Sequence, residues 1–481
     1  MATPIPINRT LFTADEIAQA VGASRPGGAI PSTTSVSIDS RSVTAGALFV
    51  ALRAVRDGHD FLAAAARAGA SAAIVERGRS HPALPCFAVD DTLVALGALA
   101  RTHLARVRSS QTLPTIAVGG AAGKTTTKEL TAAIIRAVCG ETLATPGNLN
   151  NLIGVPMTVF LIDDRHHAAV IECGTNQRGE IARLADIVRP DAALVLNVDI
   201  EHTEGLGSLA GVADEEAELF VTAGRAVVST EEELLLARIP LGKPRLTFGA
   251  SGAADVRVVQ RSVTGAGLQQ VTLQLRPHLV DRPTEARLEV TLSLLGATAA
   301  FNTAAALAAV AAAIARPLRR ADLIAIAAAL EAVRPVAGRM QLRDCGGVVV
   351  IDDTYNSNPR SLRAALSAAR ETANGLKTRL IVALGDMLEL GDLSAEMHRD
   401  ALEDVLAARP DATILVGPEF TAARSSSSKE FAHAQLFADS RAAALPIASL
   451  TRPGDVLLVK GSRGIAMERV IESLSSTPFP G

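Results

Sequence analysis

The stretch that decides the fold is residues 115–127, Thr-Ile-Ala-Val-Gly-Gly-Ala-Ala-Gly-Lys-Thr-Thr-Thr. Its first four residues form an apolar run, which is typical of a strand in a parallel sheet that is covered on both faces. A glycine-rich turn follows. Beyond it, Leu130, Ile134 and Val138 recur at every fourth position, which predicts one face of a helix over about residues 124–138. The pattern predicts a strand, a tight turn and a helix, which is the unit of α/β proteins.

The turn between this strand and helix has the composition of a phosphate-binding loop. Small residues let backbone N–H groups surround phosphate oxygens, and the helix N-terminus adds partial positive charge. The standard Walker spacing has a glycine at the position of Val118, so this is a shortened variant, GxxGKT over residues 120–125. An ordinary glycine-rich turn is the alternative. The residues predicted to bind ATP are Gly120, Ala121, Ala122, Gly123, Lys124, Thr125 and Thr126, with Lys124 on the β- and γ-phosphates and Thr125 on Mg²⁺.

The length of the chain and the grouping of its strand-like runs indicate several domains. The chain has 481 residues, of which 48% are hydrophobic, and strand-like runs fall into three blocks. We therefore predict domains over residues 1–90, 91–333 and 334–481. The predicted class is α/β, with a small α/β substrate domain, a central P-loop ATPase-like domain built on a parallel sheet, and a C-terminal Rossmann-like domain.

Composition argues against several other classes of protein. A net charge of -3, a single Tyr and no Trp disfavour a nucleic-acid partner. The four cysteines are far apart, without the spacing of a zinc site or a disulfide framework. Residues 290–315 carry no charge and are numerous enough to cross a bilayer, but they are rich in Ala and include polar residues. A strand, a turn and a buried helix explain these residues better than a membrane span does. We therefore expect a cytoplasmic protein without stable membrane insertion. We also expect a monomer.

Polar groups follow several predicted strands. In open α/β sheets, ligands bind beyond the carboxyl ends of the strands. Glu172 closes the strand-like run 168–171, and His202 comes shortly after the run 192–196. Alone, each would be an ordinary solvated or structural side chain. Beside a GKT loop, both become predicted metal ligands. In the third block, two further polar runs over residues 352–359 and 460–464 suit a polar or zwitterionic ligand, although turn chemistry would explain them too.

Together these motifs resemble those of the Mur ligases of peptidoglycan synthesis, in the same order along nearly the whole chain. The resemblance is greatest to the branch that joins D-alanyl-D-alanine to UDP-N-acetylmuramoyl-tripeptide. Its most specific matches are Asp-Asp-Thr-Tyr-Asn-Ser-Asn-Pro at 352–359, Leu-Gly-Asp-Met-Leu-Glu-Leu-Gly at 384–391 and Lys-Gly-Ser-Arg-Gly at 460–464. The resemblance implies ATP and Mg²⁺ as cofactors and these two substrates as partners.

The resemblance also implies roles for individual residues. Lys124, Glu172 and His202 would be catalytic, and the two metal ions would be held by Thr125, Glu172, His202 and Glu216. Asn302 would contact the adenine, Arg339 a phosphate, and Asp353 would help to place the nucleotide between the second and third domains. The predicted substrate-binding residues are Ser40, Arg41, Asn148, Asn151, Asn356 and Asn358.

Glu216 is the sharpest departure from the family pattern. Many Mur ligases have at this position a lysine carbamylated by CO₂, which carries the same negative charge on a longer arm. Glu216 could serve the metal through a water or with a shifted backbone. Alternatively it lies on a solvated helix face, since Asp214 and Glu215 are acidic too. The phosphate loop also differs, with Gly119 and two alanines where the family usually has polar residues, and Thr298 replaces a histidine that is frequent before the adenine-contacting Asn.

The implied chemistry is ATP-driven amide formation through an acyl phosphate. Two alternatives remain open at the level of sequence. The first is a Mur-type ligase that adds a single amino acid, or a folate polyglutamate ligase. The second is a paralogue that binds nucleotide without catalysis, which the alanines of the phosphate loop and Glu216 would favour.

Overall fold

The computed structural model describes residues 3–200, 203–264, 267–425, 431 and 433–476. Over these residues the chain forms three sheets of four, nine and six strands, one after another along the sequence. Helices alternate with the strands in each of the three parts. The α/β class predicted from the sequence is confirmed.

The strands are grouped by sheet. The first sheet contains β1 Val36–Ser37, β2 Leu48–Val50, β3 Ala72–Glu76 and β4 Cys86–Val89. The central sheet contains β5 Thr115–Gly119, β6 Thr142–Ala144, β7 Ala168–Glu172, β8 Ala192–Val195, β9 Arg225–Ser229, β10 Arg245–Gly249, β11 Val256–Val263, β12 Gln269–Leu275 and β13 Ala286–Leu292. The third sheet contains β14 Gln341–Cys345, β15 Val348–Asp353, β16 Leu380–Gly385, β17 Ala412–Val416, β18 Gln435–Phe437 and β19 Val456–Lys460.

The helices connect these strands. In the first two parts they are α1 Ala14–Val21, α2 Leu62–Arg67, α3 Thr92–Ser110, α4 Lys124–Cys139, α5 Gly154–Val159, α6 Glu180–Val188, α7 Thr203–Leu206, α8 Leu209–Thr222, α9 Glu233–Leu236, α10 Gly296–Ala313 and α11 Arg320–Ala332. In the third part they are α12 Pro359–Leu376, α13 Ser394–Ala408, α14 Pro418–Ser425, α15 Ser440–Leu450 and α16 Glu468–Ser476.

The central sheet carries the predicted phosphate loop at the end of β5, the third strand from one edge. Its strand order is β13-β12-β11-β10-β9-β8-β5-β7-β6, parallel except that β12 runs antiparallel to both neighbours. Ile116 and Val118 of β5 pack in the core cluster that also contains Leu130 and Ile134 of α4, whereas Ala117 packs in the cluster on the other face. Burial on both faces explains why this strand is apolar throughout. The strand and helix predicted here are confirmed.

Parallel pairing brings three strand ends together. Val118 of β5 pairs with Glu172 of β7, and Gly119 pairs with Val195 of β8. The residues that follow β5, β7 and β8 therefore lie at one edge of the sheet, because the carboxyl ends of parallel strands point the same way. This edge is where the sequence predicts the nucleotide and the metal.

The uncharged stretch over residues 290–315 forms the end of β13, a turn and helix α10. Helix α10 is long and apolar enough to cross a membrane, but 78% of it is buried inside the protein. It packs against α4, the strands β8 to β11, and α12. The prediction of a strand, a turn and a buried helix is confirmed, and α10 is a core helix of the central part.

The third sheet differs from the sequence prediction at its first strand. Within the predicted third domain, residues 334–481, the hydrophobic pattern indicates a first strand at residues 348–351, but strand β14 precedes it and pairs antiparallel with β15. Strand β14 lies at the edge of the sheet, and Arg343 and Asp344 are exposed. Because an edge strand need not be apolar on either face, its sequence lacks the hydrophobic run on which the prediction relied.

Candidate active site

The phosphate loop joins β5 to α4 and has a left-handed backbone at two glycines. The φ angles are 113° at Gly120 and 90° at Gly123, in the region where a side chain costs energy. An added Cβ at Gly123 would lie 3.1 Å from Nδ2 of Asn302. Glycine is therefore required at this position both by the backbone and by the close approach of the predicted adenine-contacting residue.

Asn197, just after β8, shapes the loop through three hydrogen bonds. Its backbone carbonyl accepts from the N–H of Ala121 (3.0 Å), and its Oδ1 accepts from the N–H of Ala122 (2.9 Å). Its Nδ2 donates to the carbonyl of Ala122 (3.0 Å). The amides of the two alanines are thus satisfied within the protein, and the N–H groups of the first turn of α4 are left to face a phosphate. Asn197 is not among the site residues predicted from the sequence, since an Asn after a strand is an ordinary turn residue.

Lys124 and Thr125 begin α4 and lie beside Glu172. The Nζ of Lys124 donates to the carbonyls of Gly120 and Ala121. The hydroxyl of Thr125 donates to the carboxylate of Glu172, at 3.0 Å from Oε2. Both side chains are buried, Thr125 at 4% exposure and Glu172 at 1%. The structure therefore brings together the lysine, hydroxyl and carboxylate that the sequence analysis selected.

The Glu172 carboxylate has a second partner, Asn150, whose Nδ2 donates to Oε1 at 2.8 Å. The backbone N–H of Glu172 donates to Oγ1 of Thr145 at 2.8 Å. The next residue, Cys173, is fully buried, and burial raises the pKa of its thiol, an effect that the carboxylates of Glu216 and Glu172 increase. This thiol remains protonated and unreactive, in agreement with the interpretation of the cysteines as isolated thiols.

Glu216 on α8 reaches the phosphate loop directly. Its Oε2 accepts from the backbone N–H of Gly120 at 2.7 Å, and its side chain is 3% exposed. An added Cβ at Gly119 would lie 2.8 Å from the same oxygen. The absence of a side chain at Gly119 therefore makes the space that this carboxylate occupies, and the two departures from the family pattern are sterically linked.

The interpretation of the acidic run on α8 as a solvated helix face is wrong for two of its three residues. Asp214 is exposed and forms an ion pair with Arg238 at 2.6 Å. Glu215 is buried, and its carboxylate accepts from the backbone N–H groups of Gly179 and Ile181, each at 2.7 Å. It therefore stabilises the N-terminus of α6. Sequence could not distinguish these residues, because only packing decides which of them is covered.

The oxygen donors at this edge suit Mg²⁺. The Thr125 hydroxyl and the Glu172 carboxylate are adjacent, buried and beside a phosphate loop, and Mg²⁺ prefers such oxygen ligands together with phosphates and water. The Glu216 carboxylate adds a further oxygen at the loop. His202, the other predicted metal ligand, lies outside the described residues.

A cavity of about 440 Å³ extends from the phosphate loop to the C-terminal part of the chain. Its walls come from the loop, the start of α10 and the polar run after β15. The predicted site residues among those that line it are Ala121, Ala122, Gly123, Thr126, Asn302, Arg339, Asp353, Asn356 and Asn358. The volume and the mixed lining suit a nucleotide held between the two sheets.

The C-terminal wall of this cavity is held by a buried ion pair. Asp353 Oδ2 accepts from Nζ of Lys460 at 2.6 Å, and Lys460 is 1% exposed. The same lysine donates to the carbonyl of Asn356 at 2.8 Å. The guanidinium of Arg339 lies over the ring of Tyr355, 4.0 Å from its centroid. The polar runs at 352–359 and 460–464, which are far apart in sequence, thus form one surface.

Three predicted substrate residues lie away from this cavity. Arg41 is 81% exposed and forms an ion pair with Asp39, and its hydrogen bonds lower the pKa of that carboxyl. Ser40 lies between them in the same turn of the first part. Asn148 accepts from the hydroxyl of Thr3 at 2.6 Å, in a loop next to the central sheet.

Two of the predicted substrate asparagines accept hydrogen bonds from backbone N–H groups in the first turns of helices. Asn151 Oδ1 accepts from the N–H of Gly154 at 2.8 Å, at the start of α5. Asn358 is the N-cap of α12, where its Oδ1 accepts from the N–H of Ser361 at 2.8 Å. These hydrogen bonds account for the two side chains without a ligand, although Asn358 also lines the cavity.

Comparison with known proteins identifies the family. Three family models match the chain in succession: "Mur ligase family, catalytic domain" at residues 32–104, "Mur ligase middle domain" at 118–310 and "Mur ligase, glutamate ligase domain" at 338–463. A UDP-N-acetylmuramoyl-tripeptide–D-alanyl-D-alanine ligase of Escherichia coli K12 is 37% identical over 449 residues, which cover 91% of this chain and 93% of the relative. The chain belongs to the Mur ligase family.

Solved structures agree with this assignment. A crystal structure of MurF from Acinetobacter baumannii is 28% identical to this Mur ligase, with a TM-score of 0.84 over 98% of this chain and all of the other. MurF from Thermotoga maritima in complex with ADP is 27% identical, with a TM-score of 0.78 over 92% of this chain and 97% of the other. A folylpolyglutamate synthase of Mycobacterium tuberculosis, at 19% identity and a TM-score of 0.61, shares the fold alone.

Gly123→Ala is expected to weaken ADP binding to this Mur ligase by about tenfold or more, because left-handed backbone strain of roughly 1–3 kcal/mol is added to a close contact with Asn302. Titration calorimetry with ADP measures the effect. Gly454→Ala is the matched control, since its φ of 95° imposes similar strain and its Cβ would meet nothing within 4 Å. Equal ADP affinity in the Gly123→Ala variant and the unaltered chain would contradict the requirement for glycine at this position.

Proposed function

We propose that this Mur ligase joins D-alanyl-D-alanine to UDP-N-acetylmuramoyl-tripeptide, with hydrolysis of ATP to ADP and phosphate, in the synthesis of peptidoglycan precursors. The observation that carries the proposal is the buried Thr125–Glu172 pair at a phosphate loop, next to a cavity whose far wall is formed by residues of the run 352–359. The names of the relatives that cover more than nine tenths of this chain support the choice of substrates.

Amide formation needs an activated carboxyl group, because a free carboxylate would have to expel oxide. Transfer of the γ-phosphoryl group to the carboxylate of the tripeptide releases ADP and gives an acyl phosphate. The amine of D-alanyl-D-alanine then attacks the acyl carbon, inorganic phosphate leaves, and the nitrogen loses a proton. The protein has to position two negatively charged reactants and neutralise their charge, as in other phosphoryl transfers.

We assign the binding of the phosphates, the metal ions, the nucleotide and the UDP end of the substrate to different residues of the chain. Lys124 and the first turn of α4 would neutralise the β- and γ-phosphates. Thr125 and Glu172 would hold one Mg²⁺, and His202 with Glu216 a second. When bound, Mg²⁺ would offset the charge of the phosphates and of the acceptor carboxylate. Asn302, Arg339 and Asp353 would bind the nucleotide across the cavity, while Ser40 and Arg41 would bind the UDP end of the substrate.

We also propose a division of the chain into three domains. The boundaries proposed at residues 90 and 333 both fall between sheets; residue 333 also falls between two family matches, whereas the first match extends past residue 90 to residue 104. We also propose a cytoplasmic monomer, since the activated nucleotide precursor is made where ATP is available and the apolar helix α10 is a core element.

The test is phosphate release with ATP, Mg²⁺, UDP-N-acetylmuramoyl-tripeptide and D-alanyl-D-alanine, with each component omitted in turn. Both the diaminopimelate and the lysine form of the tripeptide should be supplied. We expect release only when all four are present, together with one molecule of amide product per phosphate. Release with a single amino acid in place of the dipeptide would indicate another type of Mur ligase. ATP binding without product would indicate a paralogue that has lost catalysis.

Glu216→Gln is expected to lower the turnover number by about 10–100-fold, the range seen when a group that orients a metal site is altered. The side chain keeps its size, but its charge at the loop is lost. Asp214→Asn is the matched control, because it removes the same charge from an exposed position on the same helix. Phosphate release at saturating substrates measures both. An unchanged rate for Glu216→Gln would remove this residue from the site.

A further inference from the structure

One side chain of the third part contacts the segment of the central part that shapes the phosphate loop. Arg360 is near the start of α12, and its backbone N–H donates to Oδ2 of Asp199 at 2.9 Å. Its guanidinium donates to the carbonyl of Val198 at 3.3 Å and forms an ion pair with Glu232 at 2.8 Å. These three acceptors all belong to the central part, so Arg360 joins the two parts of the chain beside the cavity, which it also lines.

Two of the residues that accept hydrogen bonds from Arg360 directly follow, in the chain, the residue that shapes the phosphate loop. Val198 and Asp199 directly follow Asn197, which makes the three hydrogen bonds that fix Ala121 and Ala122. Glu232 also contacts this segment directly, because its Oε2 accepts from the N–H of Val198 at 3.5 Å. Arg360 therefore contacts the segment directly after the residue that shapes the phosphate loop.

On the other side, Arg360 is continuous with the polar run of the third part. It follows the N-cap Asn358 by two residues, and that run contains Asp353 and Asn356, which Lys460 holds. The Arg360 contacts thus connect the loop that would bind the triphosphate with the surface that forms the far wall of the cavity. The Arg360 guanidinium lies 2.8 Å from Glu232 and 3.3 Å from the carbonyl of Val198; the Arg360 side chain is 43% exposed and the Glu232 side chain 11%.

We propose that Arg360 is a positioning residue for amide formation: through its guanidinium contacts with Val198 and Glu232, beside the backbone contact with Asp199, it sets the alignment of the C-terminal part with the phosphate loop. The inference rests on the proposed ligase function and goes beyond it. The guanidinium does not act on the reacting atoms. It fixes the relative placement of the two surfaces between which the acyl phosphate and the attacking amine must meet, and small misplacement of reactants costs rate steeply.

The chain offers a matched control on the same helix. Arg261 of β11 forms an ion pair with Glu371 near the other end of α12, with Nη1 at 2.8 Å from Oε1. This pair also joins the central and C-terminal parts. Neither residue is among the described residues that line the cavity. A variant at Arg261 therefore tests the general docking of α12 without touching the segment after Asn197.

The experiment compares Arg360→Met, Arg360→Lys, Glu232→Gln, the double variant Arg360→Met/Glu232→Gln, and Arg261→Met. We expect Arg360→Met to lower the turnover number by about tenfold and to raise the KM for D-alanyl-D-alanine, with the affinity for ADP changed by less than about threefold. Arg360→Lys should recover part of the rate, because it restores the charge opposite Glu232. The double variant should be no slower than the slower single variant, since both break one contact.

Other outcomes would overturn the inference. These are a turnover number for Arg360→Met within twofold of the unaltered chain, equal losses in Arg360→Met and Arg261→Met, or independent effects of Arg360→Met and Glu232→Gln. A lower melting temperature with unchanged kinetics would also assign Arg360 a structural role only. An unaltered chain that forms no product would overturn the proposed function, and with it this inference, and that result is distinct from an active chain indifferent to Arg360.

Discussion

Lys124→Ala is expected to reduce phosphate release by at least about 10²–10³-fold, or roughly 2.7–4 kcal/mol of transition-state stabilisation, the range for loss of one preorganised electrostatic group. The Lys124 Nζ donates to the carbonyls of Gly120 and Ala121, so its charge is held over the phosphate loop. Alanine leaves the β- and γ-phosphates without their only side-chain cation from the loop. Single-turnover phosphate release with all substrates present measures the effect.

A control substitution distinguishes the loss of a positive charge at the phosphate loop from the loss of a positive charge elsewhere on the protein. Lys377→Gln removes one lysine charge from an exposed position at the C-terminal end of α12 and should leave the rate within about twofold, as is usual for surface positions. The melting temperature of Lys124→Ala should stay close to that of the unaltered chain. Substantial phosphate release by a folded Lys124→Ala variant would contradict the assignment of the triphosphate to this loop.

Glu172→Gln is expected to lower the turnover number by about 100-fold and to raise the Mg²⁺ concentration for half-maximal activity by at least about tenfold. The amide can still accept from the Thr125 hydroxyl, but it lacks the negative charge that a divalent cation requires. Since Glu172 is 1% exposed, bulk water cannot supply a simple replacement ligand at this position. A titration of phosphate release against Mg²⁺ distinguishes weaker metal binding from a general loss of activity.

Glu215→Gln is the control for Glu172→Gln, because Glu215 is also a buried acid but binds backbone N–H groups at the start of α6. Its carboxylate accepts from two backbone N–H groups at the start of α6, so its loss should cost about 1–3 kcal/mol of unfolding free energy. The Mg²⁺ dependence should not change. If Glu172→Gln and Glu215→Gln gave the same Mg²⁺ titration as the unaltered chain, Glu172 would not be a metal ligand.

The sequence predicts those parts of the site that depend on local chemistry. The strand, turn and helix around Lys124 follow from hydrophobic periodicity and glycine placement, and the proximity of Glu172 follows from the rule for parallel strand ends. The core location of α10 follows from its polar interruptions and its flanks. In each case a few neighbouring residues contain the physical cause, so no knowledge of distant contacts is needed.

The features that the sequence did not predict depend on packing between distant segments. An Asn after a strand is common, and the contact of Asn197 with the phosphate loop depends on the position of β8 beside β5. Glu215 and Glu216 differ from Asp214 only in which side of α8 is covered. Strand β14 lacks an apolar pattern because it is an edge strand. The metal role of His202 stays a prediction.

The place of α10 in the order of the chain bears on biosynthesis. The uncharged helix α10 has the length and composition of a segment that a translocation apparatus could recognise. The strands and the helix α4 that receive it all lie N-terminal to it, so they have already left the ribosome when it emerges. The nascent helix can therefore pack on these elements as it emerges, whereas its contact with α12 has to await further translation.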